Sequence, residues 1–411
     1  MKAHQSEVVI VGAGPAGASL GLALARAGLE TVLVDSRDPA ATPPEDTRNF
    51  AVVTGSWRLL DRLGIAAVLE GKTQPLHGLE AEDGGTHWFG RPHVLFGDED
   101  LPERGEGETL GHMIEAPKLQ SALDAAMKDQ KSLTLIAPAR FQSYEATPGS
   151  VTVTLENGDS IRARLLIGAD GVNSPVRKAA GITTEGRDYG KSVFAANVAL
   201  SRPHHGIARQ LFTPEGPFAT LPLQGDRANL AWYMKRGAAE ALAKMSPEEV
   251  EAELNYRFAD FAGDMKIDGP MGSYPLILKI AEHMVEERVA LVGDAVRRIN
   301  PLAGQGLNQG FRDLAALYDA IMDADRAGLD IGSAQTLSAY QGSRRLGANT
   351  AALAMDAIDR LFSNDSMLTK PVRGIGMLAA ERVSPLRKRL AGIASASSPD
   401  LPSLMQPLDA A

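Results

Sequence analysis

Gly12-x-Gly14-x-x-Gly17 lies between a run that is β-branched from Val8, Glu7-Val8-Val9-Ile10-Val11, and a segment of helical spacing, Ala16 to Ala27. This order leaves few folds open. A short apolar run bounded by glycines reads as a buried parallel strand. The glycines then allow a tight turn, close approach of a pyrophosphate, and tight packing of helix on strand. Pro15 and Ala16 complete the loop, Gly28 ends the helix, and Glu30 to Asp35 forms the next strand. Asp35 follows Gly17 by 18 residues and stands at that strand's end. Its carboxylate suits the hydroxyls of an adenosine ribose and would repel a 2′-phosphate. A glycine triplet alone is weak evidence. Its βαβ setting is what argues against a ligand-free turn.

Two more acids stand at strand ends. Leu165-Leu166-Ile167 runs into Gly168-Ala169-Asp170-Gly171, and Val289 to Val292 runs into Gly293-Asp294. After Asp294 come Pro301, Gly304 and Gly306, then a helix from Leu307 to about Leu317 that begins with Leu307-Asn308. Glycines at a helix start expose backbone N–H groups beside the positive end of the helix dipole. That device suits a ligand that becomes an anion. A turn aspartate capping the next helix is the plain alternative for Asp170 and for Asp294. Arg48 reads either as a phosphate contact or as a solvated side chain.

The rest of the chain divides by pattern. Residues 38–47 read as a loop, and Ser56 to Leu63 as a helix closed by Gly64. Leu76 to Glu108 turns to Gly, Pro, His, Asp and Glu, as in hairpins or an insertion. Leu119 to Met127 is helical, and Val151 to Leu155, Asn157-Gly158 and Ile161 onward form a hairpin. Within 190–275, the segments Ser192 to Leu200, Ala208 to Phe212, Phe218 to Leu223 and Ala228 to Met234 read as an antiparallel sheet, with a helix at Pro247 to Phe261. The fold class is therefore α/β: a Rossmann-like nucleotide domain (1–75, 101–185, 276–335), an inserted antiparallel-sheet domain (76–100, 186–275) and a helical C-terminal region (336–411). Phe218, Thr220, Leu221, Trp232 and Tyr233 alternate as core residues rather than as a pocket.

Composition narrows the function classes. The 411 residues suffice for two or three domains, and 44% hydrophobic with 23% charged residues is ordinary for a globular protein. A net charge of −9 argues against nucleic acid as a partner. The absence of cysteine rules out disulfides, thiolate catalysis, Cys-ligated zinc and iron–sulfur clusters. Val8 to Ala25 is uncharged, but its four glycines and one proline make it a strand–turn–helix rather than a membrane span. His204-His205 has no third ligand nearby in sequence, so no metal is expected. Residues 370–389 mix Arg373, Arg382, Arg387, Lys388 and Arg389 with Ile375, Met377, Leu378 and Leu386. They read as an exposed helix or as a contact for anionic lipid or a partner enzyme. The expected location is the cytoplasm, with attachment of that segment to the inner-membrane surface left open.

In combination and order, these motifs resemble the class A flavoprotein monooxygenases, whose fold is that of p-hydroxybenzoate hydroxylase. The resemblance narrows to ubiquinone-biosynthesis aromatic hydroxylases of the UbiH/UbiF type. Asp46-x-Arg48-x-x-Ala51 with Gly55-Ser56 and Leu59-Leu60-x-x-Leu63-Gly64 is similar to that group's second block. His204 to Leu223 is similar to its substrate-domain signature, and Gly304-Gln305-Gly306-Leu307-Asn308-x-Gly310-x-x-Asp313 to its third block. Tyr340, Arg344-Arg345 and Asn349, then Leu361 to Asn364, are similar to its C-terminal signature.

The resemblance implies FAD as cofactor, NAD(P)H as transient co-substrate, and O2 as the oxygen source for hydroxylating an electron-rich phenol, polyprenylated in this group. It implies that Gly12, Gly14 and Gly17 surround the FAD pyrophosphate and that Asp35 takes the adenosine ribose. Arg48 would lie near the flavin, Asp170 in a motif linked to FAD and NAD(P)H, and Asp294 at the ribityl or pyrophosphate part. Gly304 to Asn308 would face the flavin N1–C2=O edge, and the Pro301 carbonyl the substrate. An FAD oxidoreductase that inserts no oxygen, and a non-catalytic FAD- or lipid-binding member of a biosynthetic complex, stay open.

The chain departs from the group's pattern at three places. Val296-Arg297 stands where Ala-His is common, and Asn300 where a histidine is common. Ala116 replaces an FAD-binding arginine, leaving Lys118 and Gln120 as candidates. For Arg297 and Arg298 the sequence leaves a solvated position as open as a functional one.

Overall fold

The computed structural model describes residues 2–39, 41, 48–84, 92–101, 104–299, 305–344, 381, 383–395 and 401–407. Pro301, Gly304, Asn300 and most of 370–389 lie outside the described residues.

Val8–Val11, Thr31–Val34 and Leu165–Gly168 are buried at every position. Strands this apolar need cover on both faces, which parallel α/β sheets provide. They form the centre of a six-stranded sheet. Its order runs Val285–Glu286, Val289–Leu291, Leu165–Gly168, Val8–Val11, Thr31–Val34, Leu133–Ile136, and all but the first pair are parallel. All three motif-bearing strands are therefore neighbours, with their C-terminal ends on one edge. Ligands of open α/β sheets collect at such an edge.

The helix Pro15–Arg26 packs against this sheet, with Gly28 at φ +98° just beyond it. A second long helix runs Gln305–Arg326. It extends well past the expected end near Leu317, because no proline or glycine stands between Leu317 and Gly328.

A larger, eight-stranded sheet lies alongside. Its order is Arg297–Arg298, Met265–Ala281, Thr184–Leu200, Arg227–Lys235, Gly216–Leu223, Ile207–Thr213, Gly78–Asp83, His93–Gly97. The two 17-residue strands, Thr184–Leu200 and Met265–Ala281, pair along most of their length. They carry the chain between the parallel sheet and this larger one, which is antiparallel except where Ile207–Thr213 pairs parallel with Gly78–Asp83. The helix Pro247–Ala262 covers one face and opens with a capping box from Ser246 and Glu249. Beneath it Phe218 stacks on Phe258 at 3.7 Å, and Trp232 meets Phe258 edge-on at 5.0 Å. Phe218 and Trp232 are thus core, as alternation suggests. Tyr233, one residue on, joins Val193 and Leu276 on the opposite face.

The expected hairpin forms from Ser150–Leu155 and Ser160–Ala163. It pairs with Phe141–Thr147 and Ala3–Gln5 in a four-stranded sheet. A three-stranded sheet orders Asn49–Val53, Gly111–Glu115 and Gln74–Leu76. No helix among the described residues is long and apolar enough to cross a membrane.

Candidate active site

The first motif is built as its spacing requires. Gly12 has φ +106°, and a Cβ there would lie 2.3 Å from the Ala169 carbonyl oxygen. A Cβ on Gly17 would lie 1.9 Å from the Gly12 oxygen. Both positions exclude side chains by contact with the protein itself. Gly14 differs: a Cβ there would meet nothing within 4 Å among the described residues. It caps the helix Pro15–Arg26, which has no side-chain cap and no acid in its first turn. The helix's leading N–H groups therefore face an open cradle, the form of a phosphate site.

Asp35 sits at the far rim of that cradle. Its Oδ2 accepts from Ala13 N at 2.6 Å and its Oδ1 from Arg37 N at 2.6 Å. The carboxylate is thus fixed against the glycine loop, and each oxygen keeps a further lone pair. Of the two candidates to replace the missing arginine, Gln120 is the one drawn to the loop. Its Nε2 donates to the Ala13 carbonyl at 3.0 Å and to Asp124 Oδ1 at 2.9 Å. Asp124 also takes a bidentate pair from Arg37 at 2.8 Å. Lys118 instead pairs with Glu115 at 2.9 Å.

The second motif touches the first where Ala169 abuts Gly12. Asp170 Oδ2 accepts from Val176 N at 3.0 Å, at the start of the helix Pro175–Ala179. The capping alternative is therefore half true. Its other oxygen, Oδ1, is buried and finds no hydrogen-bond partner among the described residues. Burial holds the Asp170 carboxyl above its ordinary pKa, against the pull of its hydrogen bonds and of Arg177. A buried oxygen without a partner at a strand end is a place for a ligand donor. Arg177 then links second motif to third, since its guanidinium donates to the Ala295 carbonyl at 2.7 Å and to the Val172 carbonyl at 2.9 Å.

The third motif closes onto the first. A Cβ on Gly293 would lie 3.4 Å from the Ala16 Cβ, and one on Gly310 3.2 Å from the Gly293 Cα. Asp294 follows in a short 3-10 turn, Gly293–Ala295. Its side chain reaches solvent, yet protein crowds it enough that burial raises its pKa. Arg298 and Arg48 pull the other way. Arg48 is exposed and lies 5.9 Å from the Phe50 ring. Its field at Asp294 brings the second sequence block to the third.

Gly306, Leu307 and Asn308 fall in the first turn of Gln305–Arg326, and a Cβ on Gly306 would meet nothing within 4 Å among the described residues. Asn308 is 2% exposed. Its Nδ2 donates to the Ala51 carbonyl at 2.7 Å, and its Oδ1 accepts from Val53 N at 3.1 Å. The side chain therefore anchors the helix, and what it leaves toward the cradle is backbone.

One constellation escaped the sequence. Arg297 is not solvated: its Nη1 binds both oxygens of Asp313 at 2.7 and 2.6 Å. Arg344 Nε binds Asp313 Oδ1 at 2.7 Å, and its Nη2 reaches Gln309 at 3.0 Å. Asp313 and Arg344 belong to two of the quoted blocks, but their partnership spans 31 positions and no local period reports it.

The whole arrangement fits a dinucleotide with a flavin end. The model for the FAD-binding domain matches residues 5–352.

The chain belongs to this FAD-binding family.

It is 37% identical over 385 residues to a protein of Rhodospirillum rubrum named ubiquinone hydroxylase UbiL, covering 93% of this chain and 88% of that one. It is 33% identical over 395 residues to the 3-demethoxyubiquinol 3-hydroxylase of Escherichia coli, covering 95% and 98%. Among solved structures, p-nitrophenol 4-monooxygenase PnpA of Pseudomonas putida superposes with a TM-score of 0.79 at 18% identity, covering 97% and 100%. The fold is accordingly that of the flavin monooxygenases. This member of the FAD-binding family is an FAD-dependent hydroxylase, acting on an aromatic substrate with O2.

Proposed function

We propose that this hydroxylase inserts one oxygen atom into the ring of a phenolic ubiquinone precursor, with NAD(P)H as reductant. The balance is NAD(P)H, H+, O2 and ring C–H giving NAD(P)+, water and ring C–OH. The observation that carries the reading is the meeting of three FAD motifs at one sheet edge in a chain matching two ubiquinone-pathway hydroxylases over nearly their whole length.

Bound FAD would supply the redox and oxygen chemistry. The protein's part is position, polarity and exclusion of water. Gly14 and the first turn of Pro15–Arg26 would take the pyrophosphate, with Gly12 and Gly17 keeping the loop close. Asp35 would bind the adenosine ribose through its spare lone pairs. Asp170 Oδ1 and Asp294 would accept from the cofactor's hydroxyls, which is where two desolvated carboxylates gain most from a donor. Arg48 would balance phosphate charge. Gly304, Gly306, Leu307 and Asn308 would present backbone N–H groups to the flavin, and Pro301 its carbonyl to the substrate.

The substrate is proposed to be lipophilic, carrying a polyprenyl tail. The similarity to hydroxylases named for ubiquinone and 3-demethoxyubiquinol supports that substrate class. The division into an FAD-binding domain, a substrate domain and a C-terminal region is retained as a proposal with the boundaries given above. So is attachment of 370–389 to the inner-membrane surface or to a partner enzyme. Within that segment Arg387 is engaged internally, its Nε donating to Asp100 at 2.7 Å, so the contact would fall to its neighbours.

Consumption of O2 and NAD(P)H in equal amounts with a hydroxylated quinone precursor is the expected result. NAD(P)H oxidation yielding only hydrogen peroxide across tailed and untailed precursors would overturn the reading. Mass spectrometry of the intermediate accumulating in a deletion strain would name the ring position.

A further inference from the structure

Arg297, Asp313 and Arg344 form a buried cluster with two cations and one anion. Their side chains are 6%, 0% and 3% exposed. Among the described residues no second carboxylate reaches either guanidinium. The remaining contacts are neutral: Gln309 to Arg344, the Met284 sulfur 3.7 Å from Arg297, and Tyr340, whose hydroxyl is spent on the Leu291 carbonyl at 2.8 Å. Arginine stays protonated in proteins. With Asp313 ionised between them, the cluster carries a net charge of +1 inside the protein.

Its place in the fold gives that charge a use. Asp313 projects from the helix Gln305–Arg326, about 12 Å of helix from its first residue. Arg297 lies three positions after Asp294. Gln309, bound to Arg344, is one residue from Asn308. The cluster therefore stands behind the flavin-facing end of the helix, buried except where Arg297 borders a cavity that Glu185 and Glu282 also line. A buried unit charge at such range acts through an effective dielectric constant of about 20, well below that of water. Ion clusters of this kind are poor investments for stability alone, since desolvation offsets most of the attraction.

We propose that the Arg297–Asp313–Arg344 cluster raises the reduction potential of bound FAD by favouring the reduced, more negative form of the cofactor. The three are positioning residues, acting through the helix and through space rather than by contact with substrate.

The test is the two-electron midpoint potential of FAD bound to the purified holoprotein, read by equilibration with a reference dye. Arg297→Met keeps bulk and removes one charge. It should weaken the preference for reduced over oxidised FAD by about tenfold, equivalent to about 30 mV downward. Arg297→Lys should restore the potential. Asp313→Asn leaves both cations and should shift it upward. Arg344→Gln, on the other side of Asp313, carries the same downward prediction should Arg297→Met fail to fold. Flavin absorbance and thermal unfolding on each variant separate loss of cofactor from a shift in its potential. A purely structural cluster would lower the melting temperature in all charge-removing variants and leave the potential unmoved. That result, or shifts of the same sign for Arg297→Met and Asp313→Asn, would overturn the proposal.

Discussion

Asn308 donates from Nδ2 to the carbonyl of Ala51 across 2.7 Å, although 257 positions separate them in the chain. With the return bond from Val53 N to Oδ1, this fixes the start of the helix Gln305–Arg326 against the strand Asn49–Val53. Asn308→Ala would leave a buried N–H and a buried carbonyl unpaired. Each such group costs about 1–3 kcal/mol. The expected outcome is a fall in stability of that order and a loss of FAD affinity of roughly tenfold, since misorientation weakens each backbone donor. Chemical unfolding and flavin-fluorescence titration report the two effects. Unchanged FAD affinity in a destabilised Asn308→Ala protein would confine the residue to a structural role.

Gly14 and Gly17 make opposite predictions although they belong to one motif. A Cβ at Gly17 meets the Gly12 oxygen at 1.9 Å, whereas a Cβ at Gly14 meets no atom of the described residues within 4 Å. Gly17→Ala should therefore disrupt the apoprotein itself. Gly14→Ala should cost the apoprotein no more than about 1 kcal/mol, the difference between glycine and alanine at a helix start. It should nonetheless abolish tight FAD binding, because its methyl group occupies the cradle. Calorimetry of the two apoproteins beside FAD titration distinguishes them. A Gly14→Ala variant that binds FAD normally would move the pyrophosphate elsewhere.

The parts of the site that could be read from the sequence were those whose physics is local. The strand–glycine–helix unit, Asp35 at a strand end, and Asp170 and Asp294 after apolar runs depend on neighbours a few residues away. What escaped depends on partners far off. Arg297 is buried only because Asp313 and Arg344 arrive from two other helical segments, and hydropathy gives an arginine no means of announcing that. Asn308 was readable as part of a helix start, but not that its amide would bind a strand near residue 50. Gln120 became the loop's neighbour in place of an arginine because Asp124, four residues on, holds its amide. Of the two long strands, Thr184–Leu200 was seen only from Ser192 onward and Met265–Ala281 not at all, since much of each is polar and lacks clean alternation.

Asp170 combines a raised pKa with an oxygen that lacks a partner among the described residues. Because its folded pKa lies above the unfolded value near about 3.9, its contribution to stability is fully present below that pH and is lost as pH rises through the folded pKa. Asp170→Asn keeps an acceptor for Val176 N and removes the charge. The apoprotein variant should therefore be more stable than wild type at pH 7.5, with the difference vanishing toward pH 4. FAD affinity should fall in the same variant, because the neutral amide accepts more weakly from a cofactor hydroxyl. Urea unfolding at both pH values with FAD titration checks the pair of effects. An apoprotein no more stable at pH 7.5 than wild type would show that Asp170 is not strained by burial.

His112 sets the opposite slope. It is half-buried, stacked on Trp57 with ring centroids 3.8 Å apart, and its Nδ1 lies 3.2 Å from the Thr73 hydroxyl. Burial, helped by His77, lowers its pKa from 6.5 to about 4, with Asp98 opposing. The fold therefore favours neutral His112. Its contribution is fully present above pH 6.5, the unfolded value, and is lost as pH falls from there to the folded value near 4. A shift of this size corresponds to about 3 kcal/mol. His112→Phe preserves the stacking partner for Trp57 and cannot be protonated. The gap in unfolding free energy between wild type and His112→Phe should thus move by about 3 kcal/mol in favour of the variant between pH 7.5 and pH 4. Parallel stability curves across that window would show that His112 titrates normally and that its stacked, buried form does not depend on neutrality.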